Sequence, residues 1–252
     1  MLHRLCLLVI ALAALGAAAA AQQKKPPVPV GRDPGGMAIA LLGTGIDYTL
    51  PRLALRLARD GEGELIGWDV EDRDRQPFDA SKGDKETTGG GDGTAIASFL
   101  LGAEGTRLVP VRVNPADPVS LARAVAFVAQ TPARIAILPI WGGKGEAWEP
   151  FLQAASHFKE ILLIVPAGEG SEPVYPAAFG LDNVLVVEHG AATADAPGFA
   201  GRMQRLSGAA LAVAAAGKAA AAMLAREPRL DAGALKRRLI EADADPMWRA
   251  RK

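Results

Sequence analysis

Cysteine is nearly absent from this chain of 252 residues: there is one, Cys6, close to the first residue. A single cysteine closes no internal disulfide, and one confined to the extreme N-terminus offers no thiol nucleophile and no cysteine-based metal site to the body of the protein. Histidine is scarce as well. The three present, His3, His157 and His189, lie far apart and match no zinc-ligand spacing. Neither sign of charge prevails, since 28 Lys and Arg balance 28 Asp and Glu. A balanced chain has no overall field that would draw it to nucleic acid or to an anionic membrane surface. Its one acidic cluster, Asp69, Glu71, Asp72 and Asp74, lacks the glycine and terminal glutamate of an EF-hand loop, and reads as a solvated loop rather than a calcium site. No metal is expected.

What is present begins with an export signal. Arg4 closes a short basic stretch, Leu5 to Leu15 is apolar but too short to span a bilayer, and Ala19-Ala20-Ala21 offers a small-residue cleavage site before Gln22. An exported protein, periplasmic or secreted from a bacterium, is the expectation, with no other membrane contact. Residues 22–36 are rich in proline, lysine and glycine and read as a linker or arm. Residues 37–244 form the expected domain, and 245–252 a short basic, solvated tail.

Within the domain, short apolar runs alternate with helical patterns. Candidate strands are Ala38–Leu42, Leu65–Trp68, Leu108–Val113, Arg134–Ile140, Ile161–Val165 and Val184–Glu188. They are continuous and rich in Ile, Leu and Val, as parallel strands covered on both faces should be. Candidate helices are Pro51–Asp60, Thr94–Leu101, Val119–Gln130, Trp148–Lys159, Ser207–Arg226 and Asp231–Ala242. The alternation predicts an α/β domain: a doubly wound, mostly parallel sheet with helices on both faces. Ser207–Arg226 carries eleven alanines, which suits a closely packed central helix; Lys218 in its middle argues against a membrane span. Such sheets place their functional crevice beyond the carboxyl ends of the strands.

Four motifs occur there in one order: Leu42-Gly43-Thr44-Gly45-Ile46-Asp47, Gly91-Asp92-Gly93-Thr94, Ala167-Gly168-Glu169-Gly170 and Leu206-Ser207-Gly208-Ala209-Ala210. Pro51-Arg52-Leu53, Ile140-Trp141-Gly142-Gly143, Tyr175-Pro176-Ala177 and Asn183-Val184 lie between them. Together these resemble the landmarks of the subtilisin-like serine peptidases, in that family's order of Asp, His, oxyanion Asn and Ser. The resemblance runs from about Ala38 to Leu224 and implies a three-layer α/β fold. It sets Gly43 at the position of the catalytic aspartate, Asp92 at that of the histidine, Glu169 at that of the oxyanion asparagine and Ser207 at that of the nucleophile. Trp141, Gly142 and Gly143 fall on the substrate cleft.

On that resemblance the chemistry is largely missing. Glycine has no side chain with which to orient a base. An aspartate, with an ordinary pKa of about 4, is a weak base for a serine hydroxyl at neutral pH, and an ionised Glu169 would repel a developing oxyanion. Asp92 and Ser207 have simpler readings as helix N-caps. Arg205 replaces a family glycine before the serine, where its side chain is expected to crowd the approach. The segment Ala192 to Leu206 is short for the family, so a trimmed cleft is expected. The resemblance thus implies an inactive peptidase domain that binds an extended peptide or a partner protein.

Two alternatives stand beside it. The sedolisin branch of the same fold carries carboxylates at the histidine and asparagine positions, so Ser207 with Asp92 and Glu169 would make an acid peptidase, although the Asp that sedolisins place one helical turn later is Ile96 here. Gly43-Thr44-Gly45 followed by Asp69 also matches part of a dinucleotide fingerprint. Tyr48 stands at that motif's third glycine, where close helix packing is needed, so no cofactor is expected.

Overall fold

The first strand shows why a sheet forms here. In β1 (Met37–Gly43), Ile39 and Leu41 enter one apolar cluster while Ala38, Ala40 and Leu42 enter a second, and all five are buried. Side chains on a strand alternate between faces, so a strand without polar residues must be covered on both. The computed structural model describes residues 25–79, 92–102, 105–143, 145–168, 172–242 and 245–251. The expected leader, 1–21, lies outside them.

A short helix α1 (Pro51–Ala54) follows β1, and then come β2 (Trp68–Asp69), α2 (Gly93–Leu100), β3 (Thr106–Arg112), α3 (Pro118–Val128) and β4 (Ile135–Ile137). Next are α4 (Glu149–His157), β5 (Leu162–Pro166) and β6 (Val184–His189). The chain closes with β7 (Ala194–Pro197), β8 (Met203–Leu206), α5 (Gly208–Arg226), α6 (Ala232–Glu241) and β9 (Trp248–Ala250). The main sheet runs β2-β3-β1-β4-β5-β6-β9, parallel throughout except for the antiparallel β9. Helices α2, α5 and α6 cover one face, and α3 and α4 the other. By length and composition α5 could cross a membrane, but here it is the central helix of the first layer, packed on β1, β4, β5 and β6.

The structure departs from the sequence expectations in three respects. The helix expected over Pro51–Asp60 ends at Ala54, because Arg56 to Arg59 runs extended beside β3: Leu108 N–H donates to Arg56 O, and Ala58 N–H to Leu108 O. The strand expected over Leu65–Trp68 shrinks to Trp68–Asp69 for the same reason, since Arg56–Arg59 already takes part of that edge. The strand expected over Leu108–Val113 does form, and Pro110 is tolerated inside it because its nitrogen faces the gap between the Leu57–Leu108 bridge and β2, where no ladder partner is lost. Finally, the expected solvated tail contains β9. Trp248 is buried against the first-face cluster, and Arg249 and Arg251 pair with Glu188 of β6.

Residues 25–36 are an arm docked along the β2–β3 edge. Lys25 Nζ lies 2.6 Å from Asp69, 2.7 Å from Asp72 and 3.1 Å from Asp74. Arg112 reaches the same group at Asp69, Glu71 and Asp72. The acidic cluster, expected as a solvated loop, is therefore occupied by two of the chain's own cations, and Asp69 is fully buried. Further along, Tyr48 donates to Pro26 O (2.7 Å) and Arg59 Nη2 to Pro29 O (2.6 Å). Asp33 accepts from the N–H of Arg59 and Gly35 and pairs with Arg107.

These ties give stability an acid limit. The bond from Lys25, reinforced by Arg112, holds the Asp72 carboxyl below its ordinary range. Burial pushes Asp33 up, but the N–H groups of Arg59 and Gly35 and the Arg107 guanidinium outweigh it and leave that carboxyl lowered. A carboxylate with a depressed folded pKa contributes stability above its unfolded pKa, and loses it as pH falls through the folded value. The melting temperature should hold from neutral pH down to about pH 4 and fall below that. In Lys25→Ala the fall below pH 4 should be shallower; calorimetry across pH 2–7 checks both.

Candidate functional site

Beyond the carboxyl end of β1 the chain turns through Gly43–Asp47, and the turn is pinned from outside. Ile46 N–H donates to Pro77 O (3.0 Å), and Asp79 N–H to Ile46 O (3.2 Å). Gly45 has φ +99°, and a Cβ there would come 2.8 Å from Pro77 O, so glycine is required on both counts. Gly43 is different. A Cβ at that position would meet only Leu41 Cδ1, at 3.8 Å, so the backbone does not require a glycine there.

The second motif rests on this turn. A Cβ at Gly93 would lie 2.1 Å from Gly45 O, and Asp47 N–H donates to Thr94 Oγ1 (2.9 Å). Asp92 is the N-cap of α2: its Oδ1 accepts from the N–H of Thr94 (2.9 Å) and Ala95 (3.1 Å). Its Oδ2 accepts from Phe199 N–H (3.3 Å), across the molecule. Both oxygens are thus engaged by backbone donors, so the capping expectation describes what this side chain does.

Phe199 belongs to the turn Gly198–Gly201 of the β7–β8 hairpin, which pairs outside the main sheet. Gly198 lets the carboxylate approach, since a Cβ there would be 2.2 Å from Asp92 Oδ2. The next residue, Ala200, donates its N–H to Asp47 Oδ2 (3.0 Å) and has the left-handed φ of 53°. Asp47 is buried, and its other oxygen accepts from the N–H and hydroxyl of Thr49. Two carboxylates therefore grip one hairpin turn. Neither Asp47 nor the 198–201 turn was among the expected site residues. The signal for Asp47 was its Asp-x-Thr spacing after the glycine turn; Gly198 and Gly201 marked a turn but not its docking.

Ser207 follows β8 and takes the N-cap position of α5 by its backbone, with φ −152° and ψ 178°. Its hydroxyl makes no capping hydrogen bond and the residue is exposed, so the expectation of a side-chain cap fails. Among the described residues no hydrogen bond joins Ser207 to Asp92. Arg205 does not crowd the serine as expected; it is exposed on β8 and pairs across the hairpin with Asp195 at 3.1 Å. The hydrogen bond to the Asp195 carboxylate raises the guanidinium above its ordinary value. The segment 192–206 is short but still contributes two strands, which the sequence reading did not foresee. Glu169 lies outside the described residues.

The segment expected on the cleft, Trp141 to Gly143, follows β4. Gly142 forms a two-way bond with Tyr175: its N–H donates to Tyr175 O (2.9 Å) and its carbonyl accepts from Tyr175 N–H (2.7 Å). An incoming peptide cannot pair with Gly142. A trans peptide unit points its C=O and N–H in opposite directions, so the C=O of half-buried Trp141 and the N–H of exposed Gly143 face away from Tyr175, and among the described residues nothing takes them. The structure thus joins Gly43's turn, Asp47, Asp92 and Thr94 to the 198–201 turn, and joins Gly142 to Tyr175.

No family model matches the chain by sequence, and no curated protein does so. Solved structures do share its fold. A cold adapted subtilisin-like serine proteinase aligns with a TM-score of 0.62 at 18% identity, over 88% of this chain and 88% of that one. A lanthipeptide protease aligns with a TM-score of 0.66 at 14% identity, over 83% of this chain and 80% of that one. Fervidolysin from Fervidobacterium pennivorans, a keratinolytic enzyme related to subtilisin, gives 0.59 at 16% identity, over 84% of this chain but 39% of its own length. The chain has the subtilisin-like α/β three-layer fold.

The two N-cap positions separate in a stability test. Asp92→Ala removes an acceptor from two helix N–H groups and from Phe199, and should cost about 1–2 kcal/mol. Ser207→Ala removes a hydroxyl that bonds none of the helix N–H groups, and should shift stability by less than about 0.5 kcal/mol. Urea denaturation of the two variants checks the contrast.

Proposed function

We propose that this chain is a subtilisin-like scaffold that binds an extended peptide or a partner protein without cleaving it, and that it acts after export from the cytoplasm. The observation that carries the reading is the state of Asp92. Set by resemblance where the family has its histidine, its carboxylate is held by three backbone N–H groups, which fix both oxygens in place. A general base needs a free lone pair aimed at the proton it takes. Gly43, at the aspartate position, has no side chain to orient such a base, although the backbone would accept one. The likeness to peptidases of known structure is a likeness of fold, and one fold carries many functions.

The binding half of the proposal rests on the backbone. An extended peptide adds to an exposed strand edge through main-chain hydrogen bonds, with side-chain pockets supplying selectivity. Trp141 and Gly143 offer such an edge, and Tyr175 fixes its position by holding Gly142. The expected leader supports export.

One observation favours a second reading. The Ser207 hydroxyl is exposed and makes no capping bond, as a nucleophile's would be. In an acid peptidase it would work with Asp92 and Glu169. Labelling of the purified protein with a fluorophosphonate probe from about pH 3 to 8, a range that brackets carboxylate and imidazole titration, separates the readings. No serine-dependent labelling is expected at any pH. Labelling that Ser207→Ala abolishes would overturn the proposal, and labelling confined to acid would assign the chemistry to the carboxylates.

A further inference from the structure

The arm and the candidate site lie at the two ends of one chain of contacts. Lys25 ties Asp69, Asp72 and Asp74, at the near end of the 69–79 loop. One residue on, Pro26 O accepts the Tyr48 hydroxyl, and Tyr48 is fully buried just after the Gly43–Asp47 turn. Burial pushes the Tyr48 phenol up to about 12, so it remains a donor at neutral pH. The far end of the loop carries Phe78, whose ring meets Tyr48 edge-on (centroids 5.2 Å apart) and Phe199 edge-on from another side (6.2 Å). Phe199 is the residue whose N–H reaches Asp92.

We propose that the N-terminal arm is a strap: docked, it seats Phe78 between Tyr48 and Phe199 and so holds the 198–201 turn down on Asp92 and Asp47. The turn needs such support. It contains a non-glycine residue in the left-handed region, Ala200, and its tie to Asp92 is long at 3.3 Å. With the arm released, buried Asp69 keeps only Arg112 as a cationic partner and Tyr48 loses its acceptor. Phe78 then loses its backing, and the turn can lift from the two carboxylates. Lys25 and Tyr48 act here as positioning residues.

Hydrogen exchange read by mass spectrometry tests the strap on the mature chain, on Lys25→Ala, on Lys25→Arg, and on Lys25→Ala combined with Tyr48→Phe. In the double variant, segment 195–206 should exchange about tenfold faster, well below the energy of global unfolding. Lys25→Ala should lie between this and the parent, and Lys25→Arg should restore the parent rate. Helix α3, on the opposite face, should keep its rate in every variant and serves as the internal reference. Three results would each overturn the proposal: faster exchange in 25–36 and 69–79 with 195–206 unchanged, no change anywhere, or a rise shared equally by α3.

Discussion

The position of α5 against the sheet sets where everything else can lie. A Cβ on Gly217 would come 2.8 Å from Ile137 Cγ2 on β4 and 3.2 Å from Leu100 Cδ1 at the end of α2. Helix, strand and second helix thus meet at a point left open by one missing side chain. The alanines around it, among them Ala212, Ala214, Ala216 and Ala220, are fully buried and leave little between helix axis and sheet. Interiors packed to crystal density do not absorb an added methyl without moving their neighbours. Lys218 is the one charge in this stretch. It escapes sideways, its ammonium 4.5 Å from the centre of the Phe99 ring on α2. The contact at Gly217 therefore locks together the two helices whose first turns carry Asp92 and Ser207.

Around that frame, carboxylates act as ties. Asp92 and Asp47 clasp one hairpin turn, Asp33 gathers the arm to Arg59 and Arg107, and Asp69 is buried between Lys25 and Arg112. A carboxylate withdrawn from water is tolerated only when donors replace that water, and buried Asp47 and Asp69 and half-buried Asp33 and Asp92 all have them. In the proposed reading, the same engagement is what makes Asp92 a poor base. Glycines make the approaches possible: Gly93 under Gly45 O and Gly198 under Asp92 Oδ2 leave no room for a Cβ. In the motif Gly91-Asp92-Gly93-Thr94, then, the glycine and threonine explain the fold, whatever the second residue does.

The parallel strands and the longer helices were legible because burial on both faces leaves no choice of residue, and β1, β5 and α5 read almost as they stand. The strands that were missed are those that burial does not mark. In β8 three of four residues are partly or fully exposed, and β7 ends in Pro197. In β9 only Trp248 is buried, and it is followed by residues whose charges suggested a tail. The candidate site was legible by position and not by partner. Asp92 as a cap follows from local chemistry, since aspartate at a helix start is self-explanatory. That its second oxygen reaches Phe199, more than a hundred positions along the chain, depends on how the hairpin folds back. Spacing in the sequence carries no record of such a contact. Ser207 shows the converse: the local rule favoured a cap, and its backbone is extended as a cap's is, yet its hydroxyl bonds none of the helix N–H groups.

In the peptide-binding reading, the bond between Gly142 and Tyr175 has two opposed effects, and their balance decides what the edge can do. It removes one residue from those an incoming strand could use. It also holds the segment after β4 in place before any ligand arrives, so that more of the ordering cost of pairing falls on the peptide. Gly142 accepts this role because it sits against the Trp148 indole, where a Cβ would lie 3.1 Å from Nε1. Unpaired edges invite association with other chains, and proteins usually shorten or charge them. Here the open stretch is only Trp141 and Gly143, two residues flanking one that is already tied. Main-chain pairing on so short an edge confers modest affinity, so a partner must take the rest of its binding energy from side-chain contacts. The half-buried Trp141 is the residue on that edge with the surface to supply them.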